Sequence, residues 1–139
     1  MNIKDQLRSS RSYSGFAVKD ITAAAKFYEG TLGLKVSREK MGLIRLHLAG
    51  LSGYAGTDVL VYPKPDHTAA AYTILNFPVP DIQFAVDELT KANVKFEQYE
   101  GMIKTDAKGI SRHDGMAIAW FKDPSGNILS LIEDPTSAR

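Results

Sequence analysis

Along this chain the spacing of apolar positions switches repeatedly between two and about 3.6 residues, the periods of strand and helix. The clearest stretch is residues 116–133, MAIAWFKDPSGNILSLIE. Two apolar runs, 116–121 and 127–132, flank Asp123-Pro124-Ser125-Gly126-Asn127. Pro124 presets φ at the second turn position and Gly126 supplies a positive φ, so the stretch predicts a hairpin. Upstream, residues 13–18 predict a strand with Phe16 and Val18 on one face. Asp20 then caps a helix in which Ile21, Ala24, Phe27, Tyr28 and Leu32 recur at helical spacing, and Gly33 stops it. Strands are predicted at 34–39, at 43–49 and at 57–62, with a Gly/Ser-rich loop at 50–56. In the middle one of these strands Ile44, Leu46 and Leu48 alternate with Arg45 and His47. Pro63-Lys64-Pro65-Asp66 reads as a linker. The pattern then restarts: a strand at 71–79, a helix capped by Asp81 with Ile82, Ala85, Val86 and Leu89 on one face, a strand at 94–99, a long polar loop at 101–114, and the hairpin.

The restart is an internal repeat. FAVKDITAA from Phe16 and FPVPDIQFA from Phe77 match at an offset of 61, with five identities in nine positions. After a one-residue slip, Leu34-Lys35-Val36 aligns with Val94-Lys95-Phe96. Each half reads strand, helix, three strands. The period is too long for the common solenoid repeats and points to two supersecondary units sharing one fold.

Composition narrows the partners. The chain has 139 residues, a net charge of +1 with both signs mixed, and no cysteine. Its size fits one domain with a sizeable core. Disulfides, thiolate nucleophiles and cysteine metal sites are excluded. The scattered charge predicts neither a nucleic-acid nor a membrane partner. No run is long enough to span a membrane, and the N-terminal segment lacks an apolar signal core, so the expected location is cytoplasmic.

The segments VKDITAAAKFYEGTLGLKV and FKDPSGNILSLIE resemble the vicinal oxygen chelate superfamily, which includes glyoxalases, bleomycin-resistance proteins and extradiol dioxygenases. The resemblance implies an α+β fold of two tandem βαβββ modules, forming curled mixed sheets with helices on the convex face. Residues 1–12 would be an N-terminal arm and 13–139 a single glyoxalase-like domain, with module 1 at about 13–62 and module 2 at about 71–133. It also implies a cup in which many members hold a divalent metal as a Lewis acid. Carried onto this chain, the four ligand positions are Tyr13, Leu60, Ile74 and Ser130. None is the imidazole or carboxylate such a metal takes, so no metal and no cofactor are expected. Glu133 is placed pointing away from the cup.

Strand parity supplies a different lining: Tyr13, Gly15, Arg45, His47, Tyr72, Ile74, Asn76, Met116, Ile118, Trp120, Ile128, Ser130 and Ile132 face inward. The ligand-binding candidates among these are Tyr13, Arg45, His47, Tyr72, Asn76, Trp120 and Ser130, an apolar and aromatic set with few polar handles. Trp120 either lines the pocket or is a core tryptophan. Arg45 and His47 face the cup, solvent or a dimer interface. Three functions follow. One is a metal-free protein that binds a small aromatic or amphipathic molecule, for drug or metabolite sequestration. A second is a lyase, isomerase or dioxygenase of the same superfamily, for which His47 as base and Arg45 as anion clamp are the only catalytic candidates. The third is a regulatory or structural domain whose cup is plain core. The resemblance also implies a homodimer.

Overall fold

The computed structural model describes residues 2–49 and 56–137. The Gly/Ser-rich loop predicted at 50–56 falls, apart from Gly56, outside the described residues. The chain begins with a short helix, α1 (Ile3–Arg8), capped by the Asn2 side chain and burying none of its residues. Two four-stranded sheets follow, in the orders β1-β4-β3-β2 and β5-β8-β7-β6. The first holds β1 (Ser14–Val18), β2 (Lys35–Arg38), β3 (Ile44–His47) and β4 (Asp58–Pro63); the second holds β5 (Thr73–Val79), β6 (Ile110–His113), β7 (Met116–Lys122) and β8 (Ile128–Glu133). In each sheet the first strand pairs in parallel with the last, and the other neighbours are antiparallel. This is the duplicated βαβββ arrangement.

A helix crosses one face of each sheet. Asp20 Oδ1 accepts from the amides of Thr22 and Ala23 and starts α2 (Ile21–Ala25), which widens into a π-helical turn at Lys26–Thr31. Gly33, at φ +75°, turns the chain out, and the Leu34 amide closes onto the Tyr28 carbonyl at 2.9 Å. Asp81 caps α3 (Ile82–Lys91) through the Phe84 amide, and Glu133 Oε2 accepts the Ile82 amide at 3.0 Å. Glu133 therefore points to the helix side. Ile44, Leu46, Val59 and Val61 are buried on the helix face with Ala24, Ala25 and Tyr28; Leu129, Leu131, Ala119 and Phe121 do the same with Ile82 and Val86. Alternation along each strand leaves the intervening residues on an open face.

The second unit departs from the pattern in two places. The strand predicted at 94–99 is reduced to one bridge, Phe96 to Phe121, with the Glu97 amide donating to the Trp120 carbonyl. The edge strand β6 lies instead inside the stretch predicted as polar loop. Its turn is Asp114-Gly115, both at positive φ (+50° and +77°), a two-residue hairpin connection whose twist matches the strands. Residues 97–109 are thus an insertion that leaves the sheet edge after Phe96 and returns at Ile110. Gly109 closes it: a Cβ there would stand 2.7 Å from the Phe96 Cβ. The second departure is a bulge in β5. Thr73 pairs with Ile128 and Asn76 with Ser130, so Thr73 takes the place that strict alternation assigns to Ile74.

The two units are joined by the β7–β8 turn. Asp123 is buried, and its carboxylate accepts four hydrogen bonds: Ser125 N (2.9 Å) and Asn127 N (3.0 Å) on Oδ1, Tyr28 OH (2.7 Å) and Asn127 Nδ2 (2.9 Å) on Oδ2. Asn127 Nδ2 also donates to the Ala17 carbonyl, and Ser125 Oγ accepts the Lys19 amide at 2.8 Å. Beside this polar clamp runs an aromatic row, Phe16–Tyr28–Phe27–Phe121–Phe96, with centroids 5.2–6.4 Å apart.

Burial first, then the Asp123 charge and its hydrogen bond, push the Tyr28 phenol well above its ordinary value. Tyr28→Phe keeps the ring and removes one donor from a buried carboxylate. It is expected to cost about 1.5–3 kcal/mol in urea unfolding at neutral pH. The folded protein keeps the phenol proton that the unfolded chain loses, so this contribution is whole below about pH 10 and is lost as pH rises beyond it. Stability of the parent protein should therefore fall more steeply than that of Tyr28→Phe between about pH 9 and 11. Parallel slopes in that window would show that Tyr28 is not held neutral.

Candidate functional site

The open faces of the two sheets carry different chemistry. On the first sheet, cross-strand register aligns Ser37, Arg45, Leu60 and Gly15 in one row, and Lys35, His47 and Asp58 in the next. His47 Nδ1 lies 2.9 Å from Asp58 Oδ1, and His47 Nε2 lies 2.8 Å from Ser37 Oγ. A carboxylate only accepts, so Nδ1 carries a proton toward Asp58, and in the neutral ring Nε2 then has a lone pair for the Ser37 hydroxyl. Arg45 Nε donates to Glu39 Oε1 at 3.2 Å, and its Nη1 lies 3.7 Å from Asp58 Oδ2. The guanidinium also sits 5.2 Å from the centre of the Tyr13 ring. Tyr13, Arg45 and His47 are thereby brought together, with Tyr13 just ahead of β1 and largely exposed.

On the second sheet, Asn76, Ser130 and Trp120 align across β5, β8 and β7. Ser130 is fully buried and donates to Asn76 Oδ1 at 2.5 Å. Ile118 pairs with Ile132 one row away, and the Tyr99 ring meets Trp120 edge-on at 5.6 Å. Met116, at the start of β7, is half-exposed. Tyr72 stands apart from this row: it precedes β5, is 70 % exposed, and borders a half-open cavity of about 600 Å³. That cavity lies between the start of β1, the connection from β4 and the start of β5, and includes Gly15, Tyr62, His67, Ile74 and Asn127. The His67 ring contacts Asn127 Oδ1 at 3.1 Å, which ties the connection to the clamp.

A family model described as the Glyoxalase/Bleomycin resistance protein/Dioxygenase superfamily matches residues 12–131. The chain belongs to that superfamily. Solved structures agree on the fold. A glyoxalase/bleomycin resistance protein/dioxygenase superfamily member from Sphaerobacter thermophilus superposes with a TM-score of 0.59 at 23% identity, over 88% of this chain and 94% of its own. A glyoxalase family protein from Enterococcus faecalis gives 0.59 at 20% identity, over 91% and 99%. A hypothetical protein from S. aureus gives 0.64 at 16% identity, over 96% and 100%. Comparison with curated proteins finds no match. At these identities the likeness concerns the fold.

The residues of this superfamily member do not fit the superfamily's metal. Leu60 is hydrocarbon, Thr73 in the place of the displaced Ile74 offers only a hydroxyl, Ser130 is buried with its hydroxyl donated to Asn76, and Tyr13 packs under Arg45. Among the described residues no group of three or more His, Asp or Glu side chains is arranged to hold an ion. What the sheet does assemble includes four residues that parity alone does not single out: Ser37, Glu39, Asp58 and Tyr99. Ser37 and Asp58 share the strand parity of Lys35 and Leu60, and only the cross-strand register places them beside His47.

Tyr99 belongs to the 97–109 insertion and is held by its own amide, which donates to Thr105 Oγ1 at 2.8 Å. Since Trp120 is the only tryptophan, its emission reports this contact directly. Tyr99→Ala is expected to shift Trp120 emission to longer wavelength and to raise its acrylamide quenching at unchanged far-ultraviolet circular dichroism. An unaltered spectrum would show that the insertion does not shield the indole.

Proposed function

We propose that this superfamily member binds a small aromatic or amphipathic molecule without a metal, on the open face of its second sheet. One observation carries the reading: the row in which other members place a ligand carboxylate is here Asn76–Ser130–Trp120, an amide and a hydroxyl already bonded to each other beside an indole. Ile118 and Ile132 extend that row as apolar surface, and Tyr99 supplies a second ring. A planar apolar ligand stacks on such rings and takes its orientation from the free valences of Asn76. Tyr72 and the adjacent cavity offer room for a longer amphipathic tail. Sequestration of a drug or metabolite is the role this supports.

The test is a fluorescence titration of Trp120 against a panel of planar aromatic compounds, with calorimetry on any hit. Saturable quenching at one ligand per chain is expected, and Asn76→Ala should weaken it about tenfold, the loss of one hydrogen bond of ordinary strength. Absence of any saturable change across the panel, with the fold intact, would overturn the reading.

The binding unit is proposed to be a homodimer, as superfamily membership suggests, and the exposed Met102, Ile103 and Met116 of the second unit are apolar side chains that a partner copy would cover. Light scattering is expected to give twice the 15.3 kDa chain mass, and Met116→Glu to shift it toward the single chain. A monomer at micromolar concentration would refute this.

A further inference from the structure

The first sheet holds an arrangement that ligand binding on the second sheet does not use. Ser37, His47 and Asp58 come from three adjacent strands, β2, β3 and β4, and form a continuous chain: hydroxyl to Nε2 at 2.8 Å, Nδ1 to carboxylate at 2.9 Å. These are the contacts of a nucleophile, its general base and the group that orients the base. Their register is set by backbone ladders, with His47 opposite both Lys35 and Asp58, and Ser37 opposite Arg45. The side chains are half-exposed, with His47 at 31% and Asp58 at 39%, so a reactant can reach them from the open face.

We propose that Ser37, His47 and Asp58 make this protein an esterase acting by acyl transfer through Ser37 on small carboxylic esters. Ser37 Oγ attacks the ester carbonyl carbon while its proton passes to His47 Nε2. The tetrahedral oxyanion forms next to the Arg45 guanidinium, the cross-strand neighbour of Ser37. Arg45 uses Nε on Glu39 and lies with Nη1 toward Asp58, and the described residues make no hydrogen bond to Nη2, which is left to face the developing charge. Collapse breaks the C–O bond to the alcohol, which takes the proton from His47. Water, deprotonated by His47, then attacks the acyl-serine; the carboxylic acid leaves and Ser37 recovers its proton. Asp58 touches no reacting atom. It is a positioning residue that keeps the proton on Nδ1 and the lone pair on Nε2. Among the described residues the cavity beside Tyr72 does not include Ser37, which stands on an open sheet face, so the substrate class proposed is short acyl esters, which need no deep acyl pocket.

The probes are p-nitrophenyl acetate and a fluorophosphonate. The protein is expected to release p-nitrophenol and to gain one fluorophosphonate adduct, mapped by peptide mass spectrometry to Ser37. Ser37→Ala should abolish the adduct, and both Ser37→Ala and His47→Gln should lower turnover by at least roughly a hundredfold, the usual share of a nucleophile–base pair. For Asp58→Asn the expected effect is a fall in kcat with little change in KM, together with a switch of the His47 ring tautomer seen in ¹⁵N shifts. Ser37→Cys, which retains a nucleophile in a chain with no other cysteine, controls for folding and should still be acylated at position 37 by p-nitrophenyl acetate. An adduct elsewhere, no adduct on a folded protein, or hydrolysis unchanged in Ser37→Ala would overturn the proposal. None of these readouts involves Trp120, so the result is separate from ligand binding on the second sheet.

Discussion

The structure depends on one buried carboxylate. Taking Asp123 out of water is costly, and the cost is offset only because four donors converge on its two oxygens. Two are backbone amides of its own turn, which hold the hairpin. A third, the Asn127 side chain, extends to the Ala17 carbonyl of the other unit. The fourth is the Tyr28 hydroxyl, delivered from the π-helical turn that follows α2. A single anion thereby couples the conformation of a five-residue turn to the docking of two βαβββ units. No buried side-chain nitrogen or oxygen among the described residues lacks a hydrogen-bond partner, so the clamp leaves no residual penalty.

Duplication gave the two sheets one backbone plan, and their open faces have diverged on it. Arg45 in the first sheet and Trp120 in the second both stand on the strand beside the closing one, opposite Leu60 and Ser130 respectively. Around Arg45 the neighbours are ionic and hydrogen-bonding; around Trp120 they are isoleucines and a ring from the insertion. The helix-facing sides, by contrast, remain interchangeable hydrocarbon. Packing constrains that side and leaves the other to specialise.

Much of this was legible from local pattern. The helix caps at Asp20 and Asp81, the hairpin turn, and the split of Ile44 and Leu46 from Arg45 and His47 each follow from a few consecutive residues, and the structure carries them. Glu133 also points to the helix side, as parity requires. What local pattern misses is pairing across strands. Asp58 orients His47 because the β3–β4 register puts them opposite each other, and no spacing along the chain records that. The bulge at β5 displaces Ile74 for a similar reason: one extra residue shifts the parity without any marker in composition. The 101–114 stretch is different. Its Asp114-Gly115 pair is a recognisable hairpin signal, outweighed by the polar residues before it. Asp123 itself reads as turn chemistry, and its larger role is invisible until Tyr28 arrives from elsewhere in the chain.

The clamp also bears on the order in which the molecule assembles. Its inter-unit bonds join residues 95, 106 and 110 positions apart, whereas the hairpin they close on is built from neighbours. Contacts at such separation carry the largest loop-closure entropy and are favoured only once the intervening chain is already compact. Tyr28 must sit on a formed helical turn and Asp123 on a formed hairpin before they meet. Their hydrogen bond is thus a coincidence detector for the two halves. A chain with either half unfolded keeps Asp123 hydrated and leaves Phe27 and Phe121 uncovered, the kind of surface that chaperones and proteases read.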